Sequence, residues 1–148
     1  MHSLPQRLAT LNARFVQKPL LAVVRSPAIL RRLFTLNAII HMQTPAGLTT
    51  VPIQLGTRNC TLCDAGQAQN HGTLLYIHGG AFVMGNLRGY RHLVAAIGKS
   101  AGMRAVFLNY RMAPEHPFPA ALDDAEAAWR ALSDDPDCGP LTLAGDSA

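Results

Sequence analysis

T-L-L-Y-I-H-G-G-A-F, residues Thr73 to Phe82, is the stretch on which the fold turns. Its first half, Thr73 to Ile77, is a short continuous apolar run, the pattern of a parallel strand buried on both faces. Its second half places glycines at the C-terminal end of that strand, where backbone N–H groups can turn toward a bound anion with no side chain in the way. A phosphate-binding turn and an oxyanion hole both use such glycines. The dinucleotide pattern G-x-G-x-x-G is absent, however, and no G-K-[ST] follows, which weighs against the phosphate.

Working outward, Ala105 to Leu108 (A-V-F-L) is a second run of the same kind. Between the two, Tyr90, Leu93, Val94, Ile97 and Ala101 form a helical stripe, with Asn86 placed to cap its start and Gly102 to end it. Pro119 opens another helix, whose stripe is Ala121, Leu122, Ala125, Ala128, Trp129 and Leu132, with Asp123, Asp124 and Glu126 near the positive end of its dipole. Leu141 to Ala144 is a last short strand. Strands alternating with helices of this length imply right-handed βαβ crossovers and an α/β sheet.

Upstream, Val51, Ile53 and Leu55 alternate with Pro52, Gln54 and Gly56, and Cys60, Leu62 and a turn-rich stretch from Ala65 to Gly72 follow; this predicts a hairpin of two half-exposed strands. Leu4, Leu8, Leu11 and Phe15 recur at helical spacing. Ser26 and Pro27 start a second helix carrying Ile29, Leu30, Leu33, Phe34 and Leu36 on its inner face, with Arg31 and Arg32 outward. No internal repeat or low-complexity tract is present.

A chain of 148 residues with 49% apolar residues has the size and composition of one globular domain or part of one, and domains of this length bury roughly 70% of the surface their unfolded chains expose. The net charge of +4 is uneven, with no acidic residue before Asp64 while Arg7, Arg14, Lys18, Arg25, Arg31 and Arg32 crowd the start. A transit peptide, a membrane-surface helix or a nucleic-acid arm would share that pattern. The reading adopted is the solvated face of ordinary helices, with no nucleic-acid partner. The apolar run Pro19 to Val24 is closed by Lys18 and Arg25 and followed by Pro27, which fits neither a spanning helix nor a signal h-region, so stable membrane insertion is not expected. Three cysteines are too few and too odd in number for a disulfide framework, and a cytoplasmic location is the expectation. Cys60-x-x-Cys63 invites a zinc or redox reading, but on a strand an offset of three puts the two side chains on opposite faces and no second ligand pair lies nearby, so no metal is expected. The oligomeric state is left open.

The run Leu141 to Ala144 ends in Gly145-Asp146-Ser147-Ala148. These are the first four positions of a strand-to-helix nucleophile elbow, G-x-S-x-G. Alone, G-D-S would read as an ordinary turn capping a helix. Two motifs that each follow a buried strand, in the order the fold needs, favour the elbow. Between them, Tyr110 to Ala121 (Y-R-M-A-P-E-H-P-F-P-A-A) is an extended connection fixed by Pro114, Pro117 and Pro119, with Arg111 and Glu115 offering charges to tie it down. His116 is taken as structural.

H-G-G-A-F at His78 to Phe82, Gly85-Asn86 after it, the Tyr110 to Ala121 segment and G-D-S-A together resemble the hormone-sensitive-lipase family of α/β hydrolases, the esterases also called family IV. The match in order and spacing runs from about Thr49 to the end. Residues 1–45 resemble that family's cap helices, and 46–148 the N-terminal part of its catalytic domain, with a truncated, mostly parallel sheet. The resemblance implies that Ser147 is the nucleophile and that the backbone N–H groups of Gly80, Ala81 and Ala148 are the oxyanion donors, Ala81 standing where the family often has a third glycine. It implies supporting roles for His78, Gly79, Gly145 and Asp146. Asp146 is not the triad acid, because that role needs a carboxylate aimed at the far nitrogen of the base. The triad order Ser, acid, His places the acid and base after Ala148, so the chain alone is expected to be inactive. The implied activity is hydrolysis of small-molecule carboxylic esters of short acyl groups, without a cofactor. The alternatives are a hydrolase-fold protein that only binds its ligand, or a degenerate gene fragment.

Overall fold

The computed structural model describes residues 10–41, 46–64, 66 and 71–147. A π-helical turn, Ala13–Gln17, runs into α1 (Lys18–Val23), followed by α2 (Pro27–His41). Then come β1 (Thr49–Leu55), β2 (Arg58–Asp64), β3 (Thr73–Ile77), α3 (Leu87–Ala101), β4 (Arg104–Leu108), α4 (Ala120–Ser133) and β5 (Leu141–Gly145). The sheet order is β1-β2-β4-β3-β5. β1 and β2 form the expected hairpin, and β2 joins β4 antiparallel, with Cys60 opposite Leu108. β3 pairs in parallel with both β4 and β5, so that Thr73 lies opposite Arg104 on one side and Leu141 on the other. Pro52, which has no N–H to give, sits on the edge strand β1, where the loss costs least.

Two apolar layers hold the sheet. On one face Tyr76, Leu74 and Phe107 pack with Val94 of α3; on the other Leu75, Val106 and Leu108 pack with Ala128 and Leu132 of α4. Helix α3 begins where Asn86 accepts a hydrogen bond from the Gly89 amide, and ends at Gly102, whose φ of 65° is the left-handed turn that suits glycine. Truncating a fully buried aromatic such as Phe107 to alanine costs about 3–5 kcal/mol in comparable cores. Helix α2 rests on α3 at Gly89, where a Cβ would lie 2.3 Å from Phe34 Cε1, and the Phe34 ring stacks on Tyr90.

Three expectations need correction. β2 is not half-exposed: it is an inner strand with Cys60, Thr61 and Cys63 buried, because both helical layers reach over it. In α2, Ile29 and Leu36 point outward while Arg31 is turned in, because its guanidinium has backbone and carboxylate acceptors there. In α4, Leu122 and Trp129 are exposed, and Asp124 is buried rather than solvated at the dipole. Leu4 and Leu8 of the first expected helix lie outside the described residues, as does part of the Ala65 to Gly72 stretch.

Cys60 and Cys63 belong to opposite faces of the sheet. Burial pushes both thiols up to about 11, so neither is a ready thiolate at neutral pH. Ellman's reagent is therefore expected to titrate essentially no thiol in the native protein, and all three cysteines once it is unfolded in guanidinium.

Candidate active site

The loops that leave β3 and β5 emerge at the same end of the sheet, because the two strands are parallel neighbours. This is the position at which α/β sheets place their sites. After β3, His78 is buried and its ring lies between three aromatic rings, with centroids 4.2 Å from Tyr110, 5.1 Å from Phe107 and 5.3 Å from Tyr90. Burial pushes the His78 imidazole down, so it stays neutral at pH 7. Its Nδ1 is 2.8 Å from the Gly79 carbonyl, and the Tyr110 hydroxyl donates to the His78 carbonyl at 2.8 Å.

Beyond it the chain makes a tight turn in which the Val83 and Met84 amides donate to the Gly80 carbonyl, each at 3.1 Å. Gly80 has φ 127°, Ala81 53° and Phe82 59°. A left-handed alanine costs about 1–2 kcal/mol, so this turn is held against local strain by what surrounds it. Among the described residues the amides of Gly80, Ala81 and Phe82 donate to nothing, whereas those of Gly79 before them and of Val83 and Met84 after them are engaged.

After β5, Gly145 passes so close to β3 that a Cβ on it would lie 2.7 Å from the Ile77 carbonyl oxygen. Ser147 then reaches the β3 loop: a Cβ on Gly79 would be 2.7 Å from Ser147 Cβ. Asp146 accepts from the Gly79 amide at 2.8 Å. Thus Gly79 is brought against Asp146 and Ser147, and Gly145 against the end of β3, while Gly80 and Ala81 continue the turn that Gly79 opens. Ala148 lies outside the described residues.

The Tyr110 to Ala121 connection is tied at two points. Arg111 donates to Asp124 through its backbone amide at 2.8 Å and its guanidinium at 2.7 Å, and Arg58 reaches the same carboxylate at 2.7 Å. Burial alone would push the Asp124 carboxyl up, yet the Arg111 hydrogen bonds and the Arg58 charge hold it below the ordinary value. The second tie is Arg31 of α2, which meets both Glu115 oxygens, at 2.8 and 2.7 Å, and donates to the carbonyls of Val83 and Ala113, each at 2.7 Å. The Ala113 amide in turn donates to the Phe82 carbonyl at 2.9 Å. Sequence reasoning identified Arg111 and Glu115 as anchors but not their partners, which lie on other elements.

The Arg31 hydrogen bonds hold Glu115 down to about 2, from an ordinary value of 4.5. A carboxyl lowered in the folded state stabilises it above its unfolded pKa and loses that contribution as pH falls through the folded value. The advantage in melting temperature of the native protein over Glu115→Gln is therefore expected at pH 6 and to vanish as pH falls from about 4.5 toward 2. A gap that persists at pH 2 would contradict the assignment. The pair is exposed, so the advantage is small.

No described helix is long and apolar enough to cross a membrane, and no described cluster of His, Cys, Asp or Glu could hold a metal ion.

A family model described as alpha/beta hydrolase fold matches residues 74–148. An acetyl-hydrolase of Streptomyces hygroscopicus is 50% identical over 82 residues, which are 54% of this chain and 27% of that protein. An ethyl acetate hydrolase of Pseudomonas putida is 39% identical over 79 residues, 50% of this chain and 25% of that one. Among solved structures, an esterase from the bacterial hormone-sensitive lipase family superposes with a TM-score of 0.81 at 30% identity, over 100% of this chain and 49% of that one. The chain thus spans about half the length of that esterase.

Proposed function

Since the chain belongs to the α/β-hydrolase fold family, we propose that the intact protein is a carboxylic ester hydrolase working through Ser147. Ser147 Oγ attacks the ester carbonyl carbon, and its proton passes to a histidine contributed by the chain beyond Ala148. The N–H groups of Gly80, Ala81 and Ala148 receive the negative charge on the tetrahedral oxygen. Collapse expels the alcohol, which takes the proton back, and water then releases the acid from the acyl-enzyme by the same route. One preorganised donor is worth about 3–4 kcal/mol in such sites.

The observation that carries this reading is that the consecutive amides of Gly80, Ala81 and Phe82 are left without acceptors among the described residues, in a loop whose Gly79 lies against the nucleophile candidate. The Ala81 side chain narrows the acyl side, and the named activities of the two relatives, on acetyl groups and on ethyl acetate, accord with a short acyl group. His78 and Gly79 support the loop, and Gly145 lets the elbow approach β3. The chemistry needs no cofactor. A cytoplasmic location accords with three unpaired, buried cysteines.

The test pairs hydrolysis of p-nitrophenyl acetate with labelling by a fluorophosphonate, followed by mass spectrometry. The full-length protein is expected to turn over the ester and carry the label on Ser147. The 148-residue chain alone is expected to show no turnover, since the triad order Ser, acid, His puts the base after the serine. Label on another residue, or full turnover by the 148-residue chain, would sink this reading. A full-length protein that binds esters but neither cleaves them nor takes the label would be a ligand-binding protein instead.

A further inference from the structure

The carboxylate of Asp146 is surrounded by hydrogen-bond donors from three elements. Oδ1 accepts from the Gly79 amide at 2.8 Å and the Tyr76 hydroxyl of β3 at 3.0 Å; Oδ2 accepts from the Tyr90 hydroxyl of α3 at 3.1 Å. Among the described residues no Lys, Arg or His forms an ion pair with it. An uncompensated negative charge one residue from the nucleophile opposes the negative charge that develops on the substrate oxygen. Its use therefore has to be geometric. A carboxylate, which only accepts, takes the Gly79 N–H and both phenol protons at once, whereas an amide keeps one acceptor oxygen and its NH2 would reverse the role of a phenol hydroxyl from donor to acceptor.

The geometry of the Gly79–Gly80 peptide shows what is gained. Its carbonyl is met from one side by His78 Nδ1 at 2.8 Å and by the Tyr90 hydroxyl at 3.2 Å. The peptide is planar and trans, so holding that carbonyl also fixes the direction of the Gly80 N–H on the opposite side. The Tyr90 hydroxyl is within hydrogen-bond distance of both Asp146 Oδ2 and the Gly79 carbonyl, and the Gly79 amide is tied to the same carboxylate. Both ends of Gly79 thus refer back to the residue that precedes Ser147. Burial, together with the Asp146 charge, pushes the Tyr76 and Tyr90 phenols up, so both remain donors across the working pH range.

We propose that Asp146, acting through Tyr76, Tyr90 and the Gly79 amide, is a positioning residue that sets the Gly80 donor at a fixed distance and direction from Ser147. This rests on the serine-hydrolase reading above. The anchor ties the strand bearing the nucleophile to the loop bearing the oxyanion donor, so that the two move as one body. Its loss would leave both motifs present but their spacing loose, and a displacement of about 1 Å can cost on the order of 10²-fold in rate.

The experiment uses the full-length protein, with reactive serines counted by fluorophosphonate so that misfolded molecules drop out of kcat. Asp146→Ala is expected to lower kcat per labelled serine by about 10- to 100-fold, with KM changed less than about twofold. Binding of a tetrahedral mimic, an alkyl boronic acid, is expected to weaken by the same factor as kcat/KM. Asp146→Asn, which keeps one acceptor for the Gly79 amide, should recover part of the loss, and its Gly79 amide proton should shift in the NMR spectrum. If Asp146→Ala does not fold, the double variant Tyr76→Phe with Tyr90→Phe removes the two phenols without touching the backbone, and a loss of kcat with parallel weakening of the boronate is expected there too. A wild-type protein that is active and labelled, with variants that lose only melting temperature or labelled fraction while keeping kcat and boronate affinity, overturns the tether alone. A wild-type protein with neither turnover nor label overturns the hydrolase reading and the tether together.

Discussion

Ser147→Ala in the full-length protein is expected to lower ester hydrolysis by at least about 10⁴-fold in kcat and to leave the melting temperature within about 2 °C of the native value. The first expectation follows from chemistry: without the Oγ no acyl-enzyme forms, and what remains is the residual acceleration of a site that still binds ester and still offers N–H donors to a water attack. The second follows from packing. Ser147 is exposed, it lies just past the end of β5, and the contacts of the elbow with the β3 loop run through the backbone and Asp146 rather than through the hydroxyl. The measurement is the initial rate on p-nitrophenyl acetate beside a thermal melt of the same preparations. A Ser147→Ala variant that keeps more than a few per cent of the native rate would remove the serine from the mechanism, and the candidate nucleophile would have to be sought elsewhere.

Gly80→Ala should be nearly as damaging, through the backbone. Gly80 has φ 127°, a conformation L side chains rarely adopt, and a Cβ there would stand 2.1 Å from the Met84 carbonyl oxygen and 2.8 Å from its carbon. These are backbone atoms within the same turn, closed by the Val83 and Met84 amides on the Gly80 carbonyl. They cannot yield as a flexible side chain would, so the turn must open. A fall of about 10²–10³-fold in kcat is expected, the value of one oxyanion donor, together with a loss of about 1–3 kcal/mol in stability from the strained conformation. Counting active serines separates the two. A variant that loses only labelled fraction, with kcat per labelled serine preserved, would show that the Gly80 amide is not a donor.

Much of the scaffold is legible from local pattern. Thr73–Ile77 is a strand with the bounds expected from its apolar run, and Asn86 and Gly102 do bound α3, because a side-chain cap and a left-handed glycine are decided within a few residues of the chain. The parallel α/β arrangement follows from the alternation of strands and helices, and the family membership from motifs that the family model also spans. What escapes such reading is decided by partners far away. Arg31 looks like a surface residue of a basic helix until Val83, Ala113 and Glu115 are placed beside it. Asp124 looks like a dipole carboxylate until β2 brings Arg58 and the connection brings Arg111. In the candidate site, the glycines and the serine stand out in sequence because the proposed roles restrict residue type; Tyr76 and Tyr90 do not, because on a strand and a helix stripe each is indistinguishable from a core aromatic. The one available signal was a carboxylate beside the candidate nucleophile with no basic residue near it in sequence.

The sheet order has a consequence for how the protein comes into being. β5 pairs with β3, not with the strand made just before it, so the whole of α3, β4 and α4 must be laid down between the glycine loop and the serine. A ribosome adding about 5–20 residues per second delivers the loop several seconds ahead of its counterpart. During that interval β3 has one neighbour, β4, and a free edge waiting on the other side. The strand that leads to Ser147 is therefore the last of these pieces to be synthesised, and its partner edge on β3 is made long before it. Birth order on the chain thus puts the candidate nucleophile after the loop it packs against.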